Sequence, residues 1–119
     1  MKKIYHLANC STCQEILDSF GPHLPNFELQ DIKTQKITEK QLDEMQALAG
    51  SYEALFSRRA LKYRELGLNN KTLSELEYKN FILDEYTFLK RPVVIHNSAI
   101  FIGNAPKVVA AAREAMQKK

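Results

Sequence analysis

The chain has 119 residues, 45% of them hydrophobic, and a formal net charge of +3, which supports one globular domain with its own core and needs no metal clip or disulfide framework. Acidic and basic residues interleave, so a nucleic-acid footprint is not indicated, although weak attraction of small anions is compatible with the charge. No apolar run approaches the ~18 residues of a membrane span, and MKKIYHLANC reaches His6, Asn9 and a thiol too soon for a secretory signal, so the expected location is the cytoplasm, where thiols stay reduced.

In chain order, KKIYHL (2–7) carries Ile4, Tyr5 and Leu7 in a short apolar run and predicts a buried first strand. A helix follows, because Cys13, Ile16, Leu17 and Phe20 fall on one face, and Gly21-Pro22 ends it. NFELQDI (26–32) alternates Phe27, Leu29 and Ile32 imperfectly and predicts the second strand of a β-α-β opening. Residues 33–90 read as helical. Thr38 with Gln41 looks like a capping box before Leu42, Met45 and Leu48, and Ser74 with Glu77 repeats it before Tyr78, Phe81 and Ile82. Between them, two short helices are expected to stop near Gly67 and Asn69-Asn70. PVVIH (92–96), a turn at Asn97-Ser98 and AIFIG (99–103) form a hairpin signal. Pro106 then opens a last helix whose apolar face is Val108, Val109, Ala112 and Met116. The order β-α-β, helical stretch, β-β-α implies an α/β fold, a mixed sheet flanked by helices with a helical insertion between its two halves.

The only two cysteines, Cys10 and Cys13, stand at the first strand-to-helix turn, and a Cys-x-x-Cys there reads as a thioredoxin-like redox motif. Cys10 at the start of the helix meets unpaired N–H groups and the helix dipole, which favour an anion, so its pKa should fall below the free value of about 8.5 and make it the nucleophile. Cys13, one turn further in on the same side, is placed to attack an adduct on Cys10. The same N–H groups suit an oxyanion, which makes Ser11 and Thr12 candidates for substrate binding. A guanidinium would complement that anion, and Arg91 with Arg58 or Arg59 can supply it. His6 is a candidate for tuning Cys10.

Plainer readings stand beside these. The two thiols can be inert core residues, His6 a structural strand histidine, and Arg58, Arg59 and Arg64 a solvated helical face. A structural zinc needs about four ligands, for which His6, His23 and His96 supply no spacing pattern, so no metal is expected. Arg91 is better defined, since Pro92 holds the preceding residue extended and so directs its side chain.

The sequence resembles the ArsC/Spx group, glutaredoxin-dependent arsenate reductases and their relatives, over nearly its whole length. The likeness rests on Tyr5-His6 with Cys10 at the strand end, on FSRRALKYRELGL (56–68), on KRPVVI (90–95), and on the hairpin and helix that follow. It implies a single thioredoxin-like domain with a helical insertion, a proline at 92 in cis facing the cysteine, and arsenate reduction with glutathione or glutaredoxin as reductant and no bound cofactor. The implied chemistry is attack of the Cys10 thiolate on an oxidised atom or disulfide, an adduct, and release by a second thiol. Two relatives imply other roles: a redox-sensing regulator like Spx that binds RNA polymerase, and a general glutathione-dependent disulfide reductase. Where the reductases usually read His-Asn-Pro-x-Cys-Gly-Thr-Ser-Arg, this chain has Ala8, Cys13 and Gln14 in place of the proline, serine and arginine, and Asn104 replaces a further arginine. Aligned through Leu-Gly-Leu at 66–68, another reductase arginine falls on Ser57, whereas Spx-like members place theirs on Arg59.

Overall fold

The computed structural model describes residues 1–118. They form β1 (Lys2–His6), α1 (Ser11–Ser19), β2 (Glu28–Asp31), α2 (Glu39–Ala49), α3 (Leu61–Glu65), α4 (Glu75–Asp84), β3 (Val93–His96), β4 (Ala99–Ile102) and α5 (Pro106–Gln117). Short 3-10 turns occupy Gly21–Asn26, Glu53–Leu55, Leu68–Asn70 and Tyr86–Phe88. Two compact units result, Met1–Gln35 with the segment from Arg91 onward, and Lys36–Lys90. Among the described residues no helix is long and apolar enough to cross a membrane.

The first unit is built on a mixed four-stranded sheet in the order β2-β1-β3-β4. β1 runs parallel to β2, pairing Ile4 with Leu29, and antiparallel to β3, pairing Tyr5 with Val93. The parallel pair requires a crossover, which α1 provides, and β3 and β4 need only the turn at Asn97 and Ser98. Asn97 takes φ 58 there, a left-handed conformation asparagine tolerates better than most residues. One cluster joins Ile4 and Val94 of the sheet to Ile16, Leu17 and Phe20 at α1, Phe27, and Ala112 and Met116 of α5. Each such side chain contributes about 1.5–3 kcal/mol relative to staying exposed.

The second strand corrects one expectation. Leu29 does not face the core: it is 42% exposed, while Gln30 is buried at 1%. Gln30 is accommodated because its amide donates to the Gln35 carbonyl at 3.0 Å, which removes most of the cost of burying it. The turn Gly21–Asn26 was also not legible as a 3-10 element, since Gly21-Pro22 read only as the end of the first helix.

In the second unit both capping boxes form. Thr38 accepts from the Gln41 N–H at 3.0 Å and its own N–H donates to the Gln41 side chain at 3.1 Å. The corresponding distances for Ser74 and Glu77 are 3.2 and 2.9 Å. Of the apolar positions expected on α2, Leu42 and Met45 are buried and Leu48 is exposed. Lys79 of α4 holds α2 through Glu39 at 2.8 Å and Asp43 at 3.1 Å, and Asp43 also accepts from the Tyr52 hydroxyl. Where two short helices were expected, the chain forms α3 and two 3-10 turns, around a buried Phe56 that stacks on Phe88 at 5.0 Å and meets Tyr78 edge-on at 4.9 Å.

Truncating the core should cost several times more than removing a cap. Phe20→Ala is expected to lower unfolding free energy by about 3–5 kcal/mol, and Thr38→Ala or Ser74→Ala by about 0.5–2 kcal/mol each. Urea titrations of the three variants give the comparison, and equal losses would contradict the packing described.

Candidate active site

β1 carries the chain to Leu7, and α1 begins at Ser11. The turn between them is closed by the Cys10 N–H, which donates to the Leu7 carbonyl at 3.1 Å. Cys10 is the residue preceding the helix, with extended backbone (φ −103, ψ 112), and its side chain makes no capping bond of ordinary geometry. Its sulfur nevertheless sits where the first helical N–H groups converge, so the thiolate is the form those groups stabilise.

The two thiols move in opposite directions. Cys10 is held below the usual thiol range, first by the Cys13 backbone N–H, then by the Cys13 thiol, the Arg91 charge and the Thr12 N–H, against a cost of burial. Cys13 is 1% exposed; burial first, and then the neighbouring Cys10, push its thiol up to about 11. A Cys13 that stays protonated can therefore act as donor toward the Cys10 sulfur. Cys10 is partly exposed, so the thiol with the lowered pKa is also the accessible one.

Arg91 reaches this end of the sheet because β3 runs antiparallel to β1, so the residues before Val93 lie beside the end of β1. The Arg91–Pro92 bond is cis, and the buried Pro92 offers its carbonyl to the Gly103 N–H at 2.9 Å. The Arg91 charge lowers the pKa of both cysteines.

The structure thus gathers Cys10, Cys13, Thr12 and Arg91, with the exposed Ser11 opening the same helix. His6 is different. Its pKa is lowered by burial, opposed by the Asp31 carboxylate, and its Nδ1 is buried with no hydrogen-bond partner among the described residues. Arg58 and Arg59 belong to the second unit. Arg58 is engaged there with Glu53 at 2.8 Å and the Tyr78 hydroxyl at 2.9 Å, and Arg59 is exposed. Among the described residues no three His, Cys, Asp or Glu side chains gather as metal ligands would.

Two participants were missed in the sequence. The Leu7 backbone touches both cysteines, bonding to the Cys10 N–H through its carbonyl and to the Cys13 sulfur. Gln14 donates its side-chain amide to that same carbonyl at 3.2 Å. Its position one turn after Cys10 was the available signal, since helical side chains lean back over the preceding turn.

A model of the ArsC family matches residues 5–112. The chain belongs to the ArsC family. Solved structures agree in fold. An arsenate reductase from Vibrio cholerae is 22% identical, with a TM-score of 0.74 over 92% of this chain and 95% of that one. An arsenate reductase (ArsC) related protein from Brucella melitensis is 21% identical, with a TM-score of 0.71 over 92% of each chain. A Staphylococcus aureus COL protein of known solution structure reaches 30% identity and a TM-score of 0.71, covering 93% of this chain and 97% of its own. A comparison with the curated proteins finds no match. This ArsC-family chain therefore has the thioredoxin-like fold.

Brief iodoacetamide treatment near neutral pH should label Cys10 much faster than Cys13. The sign follows from the shifts: lowering keeps Cys10 a thiolate to lower pH, whereas Cys13, at about 11, stays protonated through the neutral range. Mass spectrometry of the labelled peptides decides it, and equal or reversed labelling would remove Cys10 as the nucleophile.

Proposed function

We propose that this ArsC-family protein is a dithiol reductase of the arsenate reductase type, in which Cys10 attacks and Cys13 resolves. The observation that carries the reading is the asymmetry of the pair: a partly exposed Cys10 whose pKa is lowered at the helix start stands beside a buried Cys13 pushed up to about 11.

With an oxyanion such as arsenate, the Cys10 thiolate displaces hydroxide or water from the central atom and forms a sulfur adduct. A thiol then attacks the Cys10 sulfur, the two electrons of the bond to the central atom leave with that atom, and it departs reduced while a disulfide forms. With a disulfide substrate, Cys10 displaces one thiolate to give a mixed disulfide, and Cys13, once deprotonated, displaces the other. In either case two electrons from glutathione or glutaredoxin restore the dithiol. The Thr12 and Cys13 N–H groups and Arg91 are the positive ends that receive the anion.

Arg91→Ala should fold normally, keep Cys10 alkylation within a few-fold, and lose most oxyanion-dependent turnover. A charge-assisted contact is worth about 1.5–3 kcal/mol, hence roughly tenfold to more than a hundredfold in rate. Arg91→Lys should recover part of the loss, since a point charge lacks the planar fork, and Arg64→Ala should change little. The assay follows arsenate-dependent consumption of reductant with glutathione and glutaredoxin. Undiminished turnover by Arg91→Ala would end the oxyanion reading. A parent inactive on arsenate but active on disulfides moves the function to general disulfide reduction. Co-purification with RNA polymerase, with reversible Cys10–Cys13 oxidation and no turnover, moves it to a redox-sensing regulator.

A further inference from the structure

Gln14 is half-buried and neutral, one turn into α1 behind Cys10. Its backbone N–H donates to the Cys10 carbonyl at 3.1 Å, as any residue at this place in a helix does. Its side chain does something the helix does not require. It reaches back past the helix start and donates to the Leu7 carbonyl at 3.2 Å. That carbonyl already accepts the Cys10 N–H at 3.1 Å, so both of its lone pairs are used. The Leu7 backbone is also a hydrogen-bond partner of the Cys13 sulfur. The Leu7 carbonyl therefore meets the backbone of the first cysteine and the Gln14 amide, while the Leu7 N–H, in the preceding peptide, faces the sulfur of the second.

We infer that Gln14 is a positioning residue for this site: by holding the Leu7 carbonyl, it keeps the Leu7–Cys10 turn in the form that leaves the Cys13 N–H and thiol on the Cys10 sulfur. It touches neither sulfur nor substrate and acts through Leu7. The Cys10 N–H bond alone closes the turn, yet a turn held by one bond can rotate the Leu7–Ala8 peptide, and that rotation frees the Cys10 N–H and with it the placement of the Cys10 sulfur at the helix start. The second bond, from a side chain anchored in the helix that carries Cys13, couples the turn to that helix. A side chain with no donor at this position leaves the Leu7 carbonyl to water. The inference rests on the reading of Cys10 as the nucleophile.

The test compares the full-length parent with Gln14→Met, which keeps the length and flexibility of the side chain but has no donor, and with Gln14→Glu, which keeps the shape and carries an acceptor facing the Leu7 carbonyl. Urea unfolding establishes that each variant is folded. The readout is the pH profile of Cys10 alkylation, followed by mass spectrometry. Gln14→Met should shift that profile upward, with an alkylation rate at neutral pH lower by about threefold to tenfold, the consequence of a half to one pKa unit. Gln14→Glu should shift it at least as far. In glutathione redox buffers, the Cys10–Cys13 disulfide of both variants should form more readily than in the parent, because the reduced thiolate has lost support. A Gln14→Met protein with the parental alkylation profile overturns the inference, and so does one whose urea midpoint falls while the profile stays in place. A parent whose Cys10 titrates as an ordinary free thiol would overturn the nucleophile assignment and this inference with it.

Discussion

The structure depends on how β1 hands the chain to α1. Within the few residues from Leu7 to Cys10 the backbone leaves a buried central strand, turns on the Cys10–Leu7 hydrogen bond, and starts a helix whose first N–H groups have no intrahelical partners. Those orphan donors must be satisfied, and in most helices a serine, threonine or aspartate oxygen does it. Here the residue in that place is a cysteine whose side chain makes no capping bond, and the Cys13 and Thr12 N–H groups favour the anionic form of its sulfur. The helix end thus lowers the pKa of the thiol that precedes it.

That arrangement holds because its two supports are rigid. Ile4 and Tyr5 of β1 are buried at 0% and 2%, and α1 is pinned to the sheet by Ile16, Leu17 and Phe20. A site built on a central strand and a packed helix keeps its geometry better than one carried by loops alone. The same rigidity separates the cysteines. A displacement of one helical turn puts Cys13 in the core, where ionisation is costly, and leaves Cys10 at the surface end, where it is favoured. Because Cys13 stays protonated, it can donate to Cys10, so the burial that disables one thiol supports the other.

Positive charge comes to this end of the sheet from Arg91, delivered by the antiparallel register of β3. The position after Cys13 carries a neutral amide, already committed to the Leu7 carbonyl. Within this unit the sources of positive potential at Cys10 are therefore backbone N–H groups and the Arg91 guanidinium. In the helical unit, the bonds of Arg58 to Glu53 and the Tyr78 hydroxyl tie α4 to the turn at Glu53–Leu55. A charged side chain committed in this way loses part of what it can offer a ligand.

Much of this was legible in the sequence, because local chemistry governs it. Thr38 with Gln41 and Ser74 with Glu77 announce helix starts, since both partners of each box lie within one turn. The face of Cys13, Ile16, Leu17 and Phe20 announces α1, and the placement of Cys10 at its start follows from a strand pattern running into that face. What the sequence left open depends on contacts between distant segments. Leu29 and Gln30 exchanged their expected faces because the pairing of β2 with β1 and the Gln35 carbonyl decided which side chain turns inward. The sequence offered His6 and Arg58 as site candidates by type, and only the folded chain placed Asp31 beside one and Glu53 beside the other. The sequence by itself determined that a cysteine would open the first helix with a second one turn behind. Only the tertiary structure decided that Cys13 is buried, that Arg91 comes to their end of the sheet, and that Gln14 ties its amide to Leu7, because burial and long-range register arise from the packing of the whole unit.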